Sequence, residues 1–180
     1  MNLLHKLLAS VVLTQLCSSL AVAAEPPETL FYDFQVTVTK ADTPMYAAEV
    51  WIPRNGRAVL NALKDVPMKV TCPPNNTMTS VPTYKDGLDI ALAVGIEVDE
   101  LVHVDGRFQV GEPHTGGWKN TGGCKIDEMS SSLHGQKFVH ILRERESSSA
   151  TADAYTLTMK FVGSSSTLPA EKVAGTFYQH

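Results

Sequence analysis

Several things are scarce in this chain, and each scarcity excludes a class of protein. Cysteine occurs three times in 180 residues, and none of the three sits in a Cys-x-x-Cys or Cys-x-x-His spacing, so neither a zinc ribbon nor a thioredoxin-type redox motif is encoded. There is no Gly-x-Ser-x-Gly elbow to expose a catalytic serine, and no Gly-Lys-Ser/Thr to complete a phosphate loop. Positive charge is also short. Fifteen basic side chains face 19 acidic ones, a balance that does not favour nucleic acid, whose affinity comes mainly from cations on phosphate. Beyond the first two dozen residues no apolar run is long enough to cross a bilayer.

The N-terminus has its own layout. Lys6 precedes the apolar run Leu7 to Leu16, and the small residues Ala21-Val22-Ala23-Ala24 follow. Charge, apolar core and small-residue exit are the parts of a secretory signal peptide. Cleavage after Ala23 or Ala24 is expected, giving residues 1–24 as leader and 25–180 as one β-rich domain, exported to the periplasm or the extracellular space. The leader removes Lys6 and Cys17, leaving 14 basic against 19 acidic side chains, or net −5. The two remaining cysteines, Cys72 and Cys124, are expected to form a disulfide in an oxidising compartment.

What is abundant is alternation. Tyr32, Phe34, Val36 and Val38 take every second position between Asp33, Gln35, Thr37 and Thr39, the pattern of a strand with one dry face. The same period runs through Tyr155, Leu157, Met159 and Phe161, and through Leu88, Ile90, Leu92, Val94, Ile96 and Val98. Further strands are expected at 45–52, 68–72, 101–104, 108–110 and 137–142. Asp105-Gly106 lies between two of these and reads as a two-residue hairpin turn. Asn55 can cap one short helix carrying Val59, Leu60, Leu63 and Val66. Glu112 to Gly123, with two Thr-Gly-Gly triplets around Trp118, has loop composition, and the serine-rich stretch 146–153 reads as a flexible turn. The expected fold is all-β, mainly an antiparallel sandwich or compact β-domain, with at most one short helix.

The chemistry-bearing residues are dispersed. His103, His114, His134, His140 and His180 show no close ligand spacing, so no metal or cofactor is expected. The Trp118 loop, with His114, Lys119 and Asn120, offers a stacking face beside hydrogen-bonding groups and is the candidate binding loop. Asn75-Asn76-Thr77 is a glycosylation sequon on an expected loop.

The order of features resembles the C-terminal β-domain of bacterial secretins, the outer-membrane channels of secretion and pilus systems. Met68-Lys69-Val70-Thr71-Cys72-Pro73 resembles a strand of that domain running into proline, Gly87 to Val98 its Gly-led alternating strand, and Val104-Asp105-Gly106-Arg107 its hairpin. Ser131 to Val139 resembles its Gly-Gln strand start and Tyr155 to Val162 its closing strand, so the likeness covers about a hundred residues from Leu63 to Val162. Ile141-Leu142-Arg143-Glu144-Arg145 stands where a Gly-Gly pair is expected, and the chain is too short for ring-forming modules and membrane hairpins. The resemblance therefore implies a soluble relative and not a pore, and it transfers no functional residue.

Two functions remain as expectations. One is a non-enzymatic exported protein that binds another protein, as an accessory of an envelope, secretion or pilus assembly. The alternative is a hydrolase or small-ligand binder whose site assembles His114, His134 or His140 with a distant Asp or Glu.

Overall fold

The computed structural model describes residues 29–95 and 99–180; residues 1–28, which include the expected leader, and the last three positions of the alternating run, 96–98, lie outside them. The described residues form two antiparallel sheets and no helix. The first sheet holds β1 (Phe31–Lys40), β2 (Thr43–Pro53), β9 (Ser147–Ala152), β10 (Tyr155–Ser165) and β11 (Phe177–Gln179), in the order β11-β2-β1-β10-β9. The second holds β3 (Arg57–Asn61), β5 (Val70–Thr71), β6 (Thr83–Val94), β7 (Val102–Thr121) and β8 (Cys124–Leu142), in the order β3-β6-β7-β8-β5, while β4 (Lys64–Pro67) pairs with the start of β6.

The alternating runs supply the inner faces. Tyr32, Phe34, Val36 and Val38 of β1 and Tyr155, Leu157, Met159 and Phe161 of β10 are buried against Ile90, Leu92 and Val94 of β6 and Val102, Val104, Phe108 and Val110 of β7 in one core. Each such side chain contributes about 1.5–3 kcal/mol by leaving water. Tight turns set the register. Ala41 and Asp42, at φ 44° and 67°, join β1 to β2, and Gly122 and Gly123, at 58° and 82°, join β7 to β8. Two successive positive φ angles match the turn twist to that of the strands.

Four expectations are corrected. Asp105-Gly106 is not a hairpin turn: both residues sit inside β7, paired with Ala93 and Leu92 on one side and with Val139 and Phe138 on the other. The reason is packing, since a Cβ on Gly106 would lie 2.1 Å from Cζ of Phe138; the glycine makes room for that ring. The short helix is absent. Asn55, at φ 57°, belongs to a turn in which the Gly56 amide donates to the Pro53 carbonyl. Beyond it, β3 and β4 pair with β6, because bonding to an existing strand outcompetes a helix of marginal length. Residues 112–115 and 117–121 are paired with β8, with Gly116 as a bulge between them, instead of forming a loop. The serine-rich stretch forms edge strand β9, whose polar side chains suit an edge facing water.

Candidate binding surfaces

Past the Gly87–Gly111 pair, β6 leaves β7, and Glu112–Thr121 continues with Cys124–Ser132 as a projecting two-stranded arm. Nine paired positions at about 3.4 Å each give it a reach of about 30 Å. Its tip is pinned by the Cys72–Cys124 disulfide (S–S 2.02 Å) and by pairing of Val70 and Thr71 with Ile126 and Lys125. The Asn76 amide also donates to the Gly122 carbonyl there.

The arm divides the four residues of the candidate binding loop. Register shifts between Thr115 and Gly117, and a bulge of this kind reverses which face the following side chains occupy. Trp118 and Asn120 therefore share a face with Lys125 and Asp127, and the Lys125 ammonium lies 4.7 Å from the centre of the Trp118 ring. Lys119 stands on the other face beside Ile126 and lines a 410 Å³ hollow with Met68 and Met78. His114 lies lower, 3.1 Å from Ser132 Oγ. Trp118 is 60% exposed.

Where the arm joins the sandwich, a polar cluster ties the two sheets together. Glu112 accepts hydrogen bonds from Lys40 and, at 2.7 Å, from the Tyr155 hydroxyl. His134 stacks on Tyr155 with ring centres 5.1 Å apart and holds Asp153 through Nδ1 at 2.6 Å; its Nε2 lies 3.5 Å from Glu112. The bonds from Lys40 and Tyr155 hold the Glu112 carboxyl down at about 2. A carboxylate so well supplied with donors is a weak base, and the groups belong to β1, β7, β8, β10 and the turn before β10. The geometry is that of a clasp between sheets. His140 makes a smaller contact of the same kind, its Nδ1 2.9 Å from Ser148 Oγ, and burial pushes its pKa down. Among the described residues no three His, Cys, Asp or Glu side chains converge as metal ligands. Among the described residues, four of the surface hollows, of 250–410 Å³, have no histidine in their lining.

The outer faces of the two sheets differ sharply. Outside the first sheet, Thr151 meets Thr156 and Ser149 meets Thr158 in a hydroxyl ladder. The C-terminal segment comes over Glu49, where Lys172 pairs with it at 3.3 Å. Nearby Asp33 is pushed up to about 6 by burial and then by the charge of Glu49.

Outside the second sheet the described residues supply no such cover, and apolar side chains stand among charged ones. Of eight large apolar side chains exposed among the described residues, four (Val59, Leu133, Val139 and Ile141, 43–60% exposed) lie on this face. Val139 and Ile141 are neighbours on β8, while Val59 and Leu133 stand apart from them on the same face. Registration places Val59, Ala91, Arg107 and Lys137 in one cross-strand row and Arg57, Ala93, Asp105 and Val139 in the next. Small side chains at Ala91, Ala93 and Gly135 leave two adjoining hollows of 350 and 320 Å³, and Arg107 and Lys137 line both.

Sequence reading missed this face because a turn at Asp105-Gly106 would have placed Arg107 on a separate strand and erased the row. A signal was present in Phe138-Val139-His140-Ile141-Leu142, where apolar residues occupy both phases of the alternation, as in a strand covered on both faces. The fold and its bare face define an all-β protein of two antiparallel sheets. No family model, no curated protein and no solved structure matches the chain.

Proposed function

We propose that this chain is a non-enzymatic exported β-protein that binds another protein through the outer face of β3, β6, β7 and β8. The observation that carries the reading is the concentration of Val59, Leu133, Val139 and Ile141 on one uncovered sheet face, hollowed by alanine and glycine. Three further features support it. The Cys72–Cys124 bridge and the lack of a membrane-spanning helix among the described residues are compatible with export. The secretin-like order of features favours an accessory of an envelope, secretion or pilus assembly, although the stretch likened to that domain's hairpin is here continuous strand. The hydrolase reading has less support: His134 does bond Asp153 at 2.6 Å, but the pair lines none of the four hollows described, and His114 and His140 hydrogen-bond serine hydroxyls among the described residues.

The test is selective capture from envelope extracts after cross-linking, comparing the mature chain with Val139→Asp and Ile141→Asp. A partner lost with both variants and retained with Trp118→Ala is the expected result. Equal capture by all four proteins, with circular dichroism unchanged, overturns the assignment to this face.

A further inference from the structure

The outer face of the second sheet carries an arrangement that folding alone does not favour. Arg107 and Lys137 are directly opposite one another on β7 and β8, and like charges in that position destabilise a sheet. Among the described residues neither forms an ion pair with a carboxylate, although Asp89 and Asp105 line the same hollows. Asp89, on the same face, accepts the Leu63 amide at 3.0 Å, and Asp105 has His103 at 3.7 Å. Neither Arg107 nor Lys137 takes part in an ion pair among the described residues, nor does Arg57, which lines the second hollow. The juxtaposition stands out in a chain whose overall charge is −4. It also sits where the two hollows meet, so an anion placed between Arg107 and Lys137 has an apolar seat beside Val59, Ala91 and Ala93 on one side, and on the other a mixed hollow where Leu133 stands with Asp89, Gln109 and Gln136.

We infer that the partner presents an acidic, amphipathic peptide segment, with a carboxylate seated between Arg107 and Lys137 and neighbouring apolar side chains in the two hollows. This rests on the protein-binding reading of the same face and adds the partner's chemistry to it. A guanidinium offers a planar pair of donors to a carboxylate and an ammonium adds a point charge. Every second side chain of an extended segment falls on one face, so a Leu-x-Glu-x-Leu spacing presents the carboxylate and its apolar neighbours together. An anionic sugar shares the carboxylate but brings none of the apolar side chains that the hollows accept.

The experiment uses the mature chain and labelled peptides of about ten residues, one repeating Leu-Ser-Glu-Ser and one repeating Leu-Ser-Gln-Ser so that Leu and Glu or Gln share one face, together with a uronate oligosaccharide, followed by fluorescence anisotropy. The Glu peptide is expected to bind at least about tenfold more tightly than the Gln peptide and to weaken several-fold as salt rises from about 50 to about 200 mM. The variant combining Arg107→Gln and Lys137→Gln should lose that preference, whereas Lys160→Gln, on the other sheet, should keep it. Equal binding of the two peptides, unchanged binding by the double variant, or no binding of the Glu peptide overturns the carboxylate anchor. A uronate that binds more tightly than the Glu peptide, and is lost in the double variant, overturns the peptide assignment. The protein-binding reading fails separately, if Val139→Asp and Ile141→Asp leave capture of the cellular partner intact.

Discussion

Gly106 decides whether β7 is one strand or two, and a mutant cycle with Phe138 tests it. A methyl group at position 106 would stand 2.1, 2.3 and 2.9 Å from three carbons of the Phe138 ring, where ordinary contact is about 3.5–4.0 Å. The ring must retreat by more than an ångström, yet it is 8% exposed and stacked on His140 at 4.7 Å. Overpacking of this kind costs about 1–3 kcal/mol, so Gly106→Ala is expected to destabilise by about 2 kcal/mol. Phe138→Ala removes a nearly buried ring and should cost about 3 kcal/mol, at the low end for such truncations. In the double variant the new methyl occupies space the ring has vacated, and the total should stay near 3 kcal/mol, a coupling of about 2 kcal/mol. Urea unfolding of the four proteins, with the slope m checked for constancy, measures each value. Additive costs would refute the reasoning. A turn at Asp105-Gly106 would produce that result, since strain from a positive φ has no connection with residue 138.

Other expectations follow from the same structure. Replacing Cys72 and Cys124 by Ala opens a bridge spanning 52 residues and should cost about 4 kcal/mol on the chain-entropy account; an unchanged thermal midpoint would show that the bridge constrains nothing. Glu112 is depressed to about 2 from 4.5, so its contribution is present above pH 4.5 and lost as pH falls through 2, and Glu112→Gln should flatten the acid limb of a stability–pH curve. Asp33 is raised from 3.8 to about 6, so its contribution is present below pH 3.8 and lost as pH rises through 6; Asp33→Asn should remove that decline, and an identical curve in the variant contradicts the shift. Lys137→Glu converts an opposed like-charge pair into an attractive one and should stabilise the free protein by up to about 1 kcal/mol, read as a higher midpoint by calorimetry even as partner capture is lost.

The amino-acid sequence by itself determined which residues would be dry in β1 and β10, and that these faces belong to half-buried strands. Period-two alternation of Tyr32 to Val38 and of Tyr155 to Phe161 admits only one burial pattern in an extended chain. It also left Cys72 and Cys124 as the two cysteines among the described residues, and these are the bridged pair. The tertiary structure alone decided what glycine and polar stretches would do. Gly106 has the composition of a turn, but its role is set by a ring 32 positions later in the chain; the arm is strand because each residue from Glu112 to Thr115 and from Gly117 to Thr121 finds a partner on β8. Likewise, Arg107 and Lys137 are ordinary surface cations until strand pairing sets them side by side among exposed apolar groups. Local composition fixes the preferences of a segment, whereas register is a property of two segments at once, and the candidate surface is made of register.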